Sequence, residues 1–213
     1  MGRASDGQFD VQPILRLYKK RWRADTRLDD SGDAMKIFLA AALAAVSIGL
    51  HASPAAAGDL IDEVRVGVSG GLNGGSSEDK GVVGSAEVYI APFQSSQTGL
   101  AKVLLEPRVQ VGVSGGADAT DQAYLGLNWH LPITETLFAE VGAGGTVHNG
   151  SLDSGPGPLL GCRFLFREHA ALGVRVTDNV SVMATVDHSS SADLCDGPND
   201  GLTHAGLSVG VKF

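Results

Sequence analysis

Two side chains that together can perform nucleophilic catalysis lie near the C-terminal end of the sequence. His188 and Ser190 are two residues apart in the stretch DHSSSADLCDGPNDGL, which runs from residue 187 to residue 202. On a β-strand, residues with this spacing project to the same side with Cα atoms about 6.5–7 Å apart. An imidazole so placed can take the proton of a hydroxyl that attacks an ester carbonyl. The His-x-Ser spacing alone is weak evidence, because a polar strand end carries the same residue types.

The sequence around this pair alternates between apolar and polar residues, which is typical of β-strands. Eight such runs follow one another and are separated by segments rich in Gly, Ser, Asp, Asn and Pro. Their approximate bounds are 61–71, 80–93, 102–113, 119–131, 134–147, 158–176, 178–190 and 202–213. The pair therefore lies at the end of the seventh predicted strand, on the same side as the apolar residues Val182 and Val186.

The two faces of the predicted strands differ in chemistry. One face is almost entirely apolar, whereas the other is polar and carries charges of both signs in mid-strand. The polar face contains Arg65, Glu87, Tyr89, Glu106, Arg108, Gln110, Tyr124, Asn128, Glu140, Arg163, Arg167 and Arg175. In a small membrane barrel the apolar face meets lipid and the charged face fills a narrow lumen. In a soluble sandwich the apolar face is the core instead, so the alternation alone does not separate the two folds.

Three further features favour the membrane barrel. The number of strands is even and their length is about 10 residues, the last strand ends on the aromatic Phe213, and a secretory signal precedes the first strand. We therefore expect residues 58–213 to form an eight-stranded antiparallel transmembrane β-barrel of the outer membrane. The soluble sandwich is the alternative fold.

The secretory signal is predicted over residues 35–57. The run MKIFLAAALAAVSIGL has one Lys before an apolar segment, and small residues ending at Ala57 offer a cleavage site before Gly58. A membrane-spanning anchor needs about 20 apolar residues, and this segment is shorter, so cleavage is favoured. Residues 1–34 precede a normal signal start, and we expect them to be an unstructured or non-native extension.

The charge balance and the histidines exclude two kinds of site. The formal net charge is −8, and no basic stripe follows residue 36, so we expect no nucleic-acid partner, because phosphate binding needs clustered Lys and Arg. The histidines His130, His148, His169 and His204 are scattered without metal-ligand spacing. The sequence therefore indicates no metal or other cofactor.

The chain has two cysteines, Cys162 and Cys195. A chain that leaves the reducing cytosol can form a disulfide, and we expect this bond to tie the loop that follows the seventh strand beside His188 and Ser190. Two free buried thiols are the alternative.

Short motifs over nearly the whole of residues 58–213 resemble one protein family. The motifs are IDEVRVGV, AEVYIAPF, EPRVQVGVSGG, DQAYLGLNWHL, LFAEVGAGGTVHNG, LGCRFLFREHAALGVRVTDNVSVM and HSSSADLCDGPNDGLTHAGLSVGVKF. In this order they are similar to those of the PagL-type lipid A 3-O-deacylases. The resemblance implies an eight-stranded outer-membrane barrel whose active site lies on the lipid-facing exterior.

The family's terminal signature is His-x-Ser-Asn-Ala, a short loop, and then Asn-x-Gly followed by an apolar residue and an acid. The positions that match it are His188, Ser190, Ala192, Asn199 and Gly201. Two positions depart from it. Ser191 occupies the position of the Asn associated with the oxyanion hole, and Thr203 occupies the position of the acid that orients the histidine.

The resemblance implies a reaction and a role for each of these residues. The chain would hydrolyse the ester-linked 3-hydroxyacyl chain at position 3 of lipid A, the membrane anchor of lipopolysaccharide, among the lipids of the outer membrane. Ser190 would attack, His188 would act as general base and then general acid, and Thr203 would orient His188. The oxyanion and supporting residues would be Ser191, Asn199 and Gly201. No metal or cofactor is implied, and the sequence leaves a homodimer open.

The departure at residue 203 also supports an alternative function. A hydroxyl can hold the tautomer of an imidazole, but it does not stabilise an imidazolium as a carboxylate does. The alternative is therefore a non-catalytic outer-membrane barrel of the same fold, with a structural or surface-binding role.

Overall fold

The computed structural model describes residues 61–72, 79 and 81–213. Over these residues the chain forms eight antiparallel strands that close into a barrel. The strands are β1 (Ile61–Gly71), β2 (Val82–Ile90), β3 (Arg108–Gly115), β4 (Gln122–Pro132), β5 (Leu137–His148), β6 (Phe164–Arg175), β7 (Val180–Ser190) and β8 (Leu202–Lys212). The predicted eight-stranded antiparallel barrel is confirmed. The predicted signal peptide and N-terminal extension lie outside the described residues.

The barrel closes where the last strand pairs with the first. The register between β1 and β8 runs from Glu63 opposite Lys212 to Gly71 opposite His204. Closure leaves no strand with an unpaired backbone edge, which is the condition that a sheet must meet inside a lipid bilayer.

Two of the three links at one end of the barrel are tight turns, and the third, over residues 91–107, is long. The tight turns over residues 133–136 and 176–179 join β4 to β5 and β6 to β7. A threonine side chain stabilises each turn, since Thr134 Oγ1 accepts the Leu137 N–H at 2.9 Å and Thr177 Oγ1 accepts the Val180 N–H at 3.0 Å. The longer links over 149–163 and 191–201 lie at the opposite end. In outer-membrane barrels short turns face the periplasm and long loops face outwards.

The link between β2 and β3 contains a short helix, α1 (Gly99–Leu105). The sequence alternation predicted a strand from residue 102, and this prediction is wrong over residues 102–107. Ala, Lys and Leu, which favour helices, dominate the segment, and Gly99 adopts a φ of +62° at its start. The indole N–H of Trp129 donates to the Leu104 carbonyl at 3.2 Å and so fastens α1 to β4. No helix among the described residues is long and apolar enough to span a membrane.

The outer wall of the barrel is apolar. The large side chains that the strands expose include Val66, Val68, Val111, Leu125, Leu127, Val141, Phe164, Phe166, Leu172, Val182, Leu207 and Val209. These residues alternate along each strand with buried ones. An apolar surface that encircles a closed barrel is the lipid-facing surface of a membrane protein.

The centre of the lumen is filled by a network of ion pairs. The carboxylate of Glu140, which is 1% exposed, accepts hydrogen bonds from Arg65 at 3.0 Å and from Arg108. Glu63 accepts from the same two guanidinium groups, at 2.8 Å and 2.7 Å. Because each charge has more than one partner, the cost of removing these charges from water is offset within the network.

Aromatic and polar side chains fill the next layer of the lumen. The hydroxyls of Tyr89 and Tyr124 both donate to Glu87 at 2.7 Å. The guanidinium carbon of Arg167 lies 3.9 Å from the centre of the Tyr124 ring, a cation–π contact. The polar face predicted from the alternation therefore points into the barrel.

Three residues assigned to that face lie elsewhere, at the ends of the barrel. Glu106 follows α1 and accepts the backbone N–H of Ser95 at 2.6 Å. Arg163 precedes β6, which begins at residue 164 and not at 158 as predicted, and it donates to the Gly150 carbonyl at 2.6 Å. Arg175 is exposed at the short-turn end and donates to the Glu135 carbonyl at 2.7 Å.

Loss of the central carboxylate tests the energetic role of the network. We expect Glu140→Gln to destabilise the folded barrel by about 3–5 kcal/mol, because it leaves buried arginines without their shared counter-charge. The measurement is unfolding by urea in detergent micelles. Glu135→Gln, the same change in an exposed turn, is the control and should leave the unfolding midpoint unchanged. Equal midpoints for the two variants would contradict the assigned role.

Candidate functional site

Strand β7 carries His188 and Ser190 on the outer wall near the long-loop end. Met183 and Ser189 on the same strand are buried, whereas Val182, Val186 and His188 are exposed. The alternation of β7 thus continues to its last residues, and polar side chains replace valines at the two final outward positions. The site faces the surroundings of the barrel and not its lumen.

Strand β8 places Thr203 beside the imidazole. His188 and Thr203 are opposite each other in the β7–β8 register, and His188 Nδ1 lies 2.9 Å from Thr203 Oγ1. If Nδ1 carries the proton and donates it to the hydroxyl, Nε2 is left with a lone pair. Nε2 can then act as the base toward a hydroxyl group.

Gly201 supports the imidazole from the end of the preceding loop. Its φ of +70° lies in the left-handed region that favours glycine. A Cβ on this residue would lie 3.0 Å from His188 Cε1, so a larger side chain would press on the ring. The glycine therefore lets the chain turn sharply into β8 while the imidazole packs against its backbone.

The loop after Ser190 is held in place by Asn199. The Asn199 Oδ1 accepts the backbone N–H of Ser191 at 3.0 Å, and its amide nitrogen donates to Asp193 Oδ1 at 3.0 Å. Ala192 and Asp193 adopt φ values of 50° and 56°, so the chain reverses direction directly after Ser191. The side-chain amide of Asn199 bridges the two sides of this reversal.

A disulfide ties the same loop to the one before β6. It joins Cys162 to Cys195, with the Cα atoms 6.1 Å apart. Cys162 also packs against a cluster formed by Leu160, Leu165 and Leu202, all of which are fully buried. The loops on both sides of the β6–β7 hairpin are thus fixed next to His188 and Ser190.

The structure brings some of the predicted site residues together and keeps others apart. His188, Thr203 and Gly201 are in contact, and Ser191 and Asn199 share a hydrogen bond. Among the described residues, the Ser190 hydroxyl makes no hydrogen bond to His188. Catalytic hydrogen bonds are often long before substrate binds, and the two side chains share one face of one strand.

A groove opens on the outer wall beside His188. Its volume is about 480 Å³, and it extends across β4 to β7. Gly142, Ala143 and Ala170 form a floor of small residues, and Trp129 and Val186 are among the larger side chains that border it. The groove is therefore mainly apolar, and the His188 imidazole is part of its lining.

One side chain in this region was missed in the sequence. Glu168 on β6 is exposed, shares the face of Phe164 and Phe166, and pairs in register with His188. It also lines the groove. The signal that could have found it is its parity, because a charged residue at a lipid-facing position of a predicted barrel strand is unusual.

The described residues contain no group of three or more His, Cys, Asp or Glu side chains that could hold a metal ion.

Comparison with known proteins identifies the family. Residues 108–212, from β3 to β8, match the family model described as Lipid A 3-O-deacylase (PagL). The matched range contains His188, Ser190 and Thr203. This part of the chain belongs to the PagL family. No curated protein matches the chain at a significant level.

A solved PagL structure shares the fold of this chain. The crystal structure of the outer membrane enzyme PagL has 16% sequence identity and a TM-score of 0.54, over 71% of this chain and 99% of that chain. The N-terminal β-barrel domain of Pseudomonas aeruginosa OprF has 17% identity and a TM-score of 0.43, over 72% of this chain and 99% of that chain. The PagL likeness indicates a common barrel architecture.

The disulfide beside the site can be checked chemically. We expect no thiol to react with a maleimide reagent in the denatured, unreduced protein, and two thiols to react after reduction, because both cysteines are in the bond. Intact mass measurement reads the number of adducts. Labelling of two thiols without reduction would contradict the bond.

Proposed function

We propose that this chain is an outer-membrane lipid A 3-O-deacylase, which hydrolyses the ester-linked 3-hydroxyacyl chain at position 3 of lipid A. The observation that carries the proposal is the hydrogen bond between His188 and Thr203 on the lipid-facing wall, next to Ser190 on the same strand. The PagL family match over this part of the chain supports the choice of substrate.

The first half of the reaction forms an acyl-enzyme. Thr203 holds the Nδ1–H tautomer of His188, so Nε2 takes the proton of Ser190 as its oxygen attacks the ester carbonyl. The tetrahedral intermediate then expels the sugar 3-oxygen, which receives the proton from His188. The acyl chain remains on Ser190 as an ester, and the deacylated lipid leaves with a free hydroxyl.

The second half releases the fatty acid. A water molecule gives a proton to His188 Nε2 and attacks the acyl-Ser190 ester. Collapse of this second intermediate returns the proton to Ser190 and frees a 3-hydroxy fatty acid. Ser190, His188 and one water molecule thus account for every proton transferred and every bond formed in the cycle.

The loop that follows Ser190 supports this chemistry by its shape. The carbonyl oxygen of the ester gains negative charge in the transition state, and hydrogen-bond donors are needed to stabilise that charge. We assign this role to hydrogen-bond donors in the turn from Ser191 to Asp193. Asn199 holds this turn in place, and Gly201 ends the loop that contains it. Ser191 is itself buried, and its backbone N–H donates to Asn199.

The position of the site suits a substrate that stays in the membrane. The site lies at the long-loop end of the barrel, which would face the outer leaflet, where lipid A and other membrane lipids can diffuse laterally to it. Only the ester has to reach Ser190, and the groove beside His188 offers space for part of an acyl chain. We also propose that cleavage of the signal peptide over residues 35–57 precedes insertion.

Mass spectrometry of lipid A tests the proposed function. Cells that express the intact protein should contain lipid A that lacks the mass of one 3-hydroxyacyl chain. Ser190→Ala at the same membrane level should leave lipid A unchanged, because loss of the nucleophile in a serine hydrolase lowers kcat by about 10⁶-fold. Unchanged lipid A with both folded proteins would instead support the non-catalytic barrel.

Residue 203 offers a second test. We expect Thr203→Val to lower kcat about 10²- to 10⁴-fold, because the imidazole loses the partner that fixes its tautomer. Thr203→Ser keeps the hydroxyl and should retain most of the activity. The measurement is the rate of fatty-acid release from lipid A in mixed micelles. Equal loss in both variants would show that the hydroxyl does not orient His188.

A further inference from the structure

The position of Glu168 on the outer wall is unusual for a membrane barrel. Its neighbours Arg167 and His169 are buried in the lumen, and Phe166 and Leu172, which share its face, are exposed. Glu168 is exposed as well, so its carboxylate lies among lipid-facing side chains. Charged groups in this environment are costly and in general mark functional sites.

The carboxylate has no other partner that accounts for this cost. Among the described residues, Glu168 makes no ion pair and no side-chain hydrogen bond. Away from the short-turn rim, the ionisable side chains on outward strand positions of the described barrel are Glu168 and His188. These two are cross-strand partners in the β6–β7 register, a position that brings Cβ atoms about 4.5–5.5 Å apart.

The same wall therefore presents three polar side chains in a row. Thr203 on β8 and Glu168 on β6 lie on the two sides of His188, each in register with it. Thr203 Oγ1 lies 2.9 Å from His188 Nδ1 but carries no charge. When His188 takes the proton of Ser190 it becomes a cation, and nothing on β8 offsets that charge.

We propose that Glu168 is the acidic positioning residue of this site, which stabilises the His188 imidazolium while Thr203 holds its tautomer. The inference rests on the proposed function, because it assigns a part in the same proton transfer. Two residues on opposite sides of the imidazole thus share the task that one carboxylate performs in a Ser-His-acid triad.

The surroundings of the pair strengthen this electrostatic role. Glu168 and His188 both line the groove that is otherwise mainly apolar. Lipid and a bound acyl chain would exclude water there, and charges interact more strongly in a medium of low dielectric constant. A carboxylate next to the imidazolium therefore has a larger effect on this wall than it would have in water.

Other titratable groups near His188 are engaged elsewhere. Asp187 contacts His204 and Arg167 on the lumen side of the wall. Asp193 in the following loop accepts a hydrogen bond from Asn199. From β8, the residues on the outer face near His188 are Thr203 and Ala205, which do not titrate. Glu168 is thus the acid that faces the imidazole from its neighbouring strands.

The experiment compares Glu168→Gln with the intact protein, with Glu168→Gln/Thr203→Glu, and with the turn variant Glu135→Gln as the matched control. We expect Glu168→Gln to lower kcat about 10²- to 10⁴-fold with a smaller change in KM. A carboxylate moved to the other side of the imidazole should recover at least part of that loss in the double variant. The control should match the intact protein.

A second readout does not depend on turnover. The ¹⁵N chemical shifts of the His188 ring, measured in detergent micelles at one fixed pH, report the fraction of imidazolium. This fraction should fall in Glu168→Gln and stay unchanged in Glu135→Gln. Removal of a charge from the lipid face does not threaten folding, so a change in this fraction reflects the local electrostatics.

The outcomes separate the two proposals. If the intact protein and Ser190→Ala leave lipid A equally unchanged, the proposed function fails, and the ring shifts still decide whether Glu168 stabilises the imidazolium. If the intact protein is active and Glu168→Gln keeps its kcat and its imidazolium fraction, the inference about Glu168 is wrong. Loss of kcat without recovery in the double variant and without a change in the ring shifts would also overturn it.

Discussion

Closure of the strand ladder between β1 and β8 is the constraint on which the rest of this structure depends. A sheet in lipid has to satisfy every backbone N–H and C=O within itself, and the β1–β8 register does so. The same closure fixes which residues of β8 lie opposite which residues of β7. Thr203 stands opposite His188 because of that register, so the geometry of the site follows from the architecture of the barrel.

The interior and exterior of the barrel separate two physical tasks. Stability comes from the lumen, where Glu140 is shared between Arg65 and Arg108. The proposed chemistry takes place on the outer wall, where small residues leave a groove. Neighbouring residues of one strand serve the two sides, since Asp187 faces the lumen network and His188 faces the groove.

Much of the fold was predictable from alternation, because period-two patterning reports which side of a strand each residue faces. The helix α1 was not, since Val103 and Leu105 fit a strand pattern as well as a helical one. The positions of His188, Ser190 and Thr203 on one wall followed from parity. Parity could have placed Glu168 on the outer face, but its position opposite His188 needed the cross-strand register, which a single sequence does not contain. The brace formed by Asn199 needed the shape of the loop.

The filled lumen has a consequence for solutes that meet the barrel. The interior side chains leave a lumen cavity of only about 20 Å³ in the layer around Glu87 and Tyr124, which is room for about one water molecule. In the described part of the lumen, solutes and ions therefore meet packed side chains at this layer and not an open channel. A layer packed in this way sets the barrel apart from a porin, whose lumen is a water-filled channel.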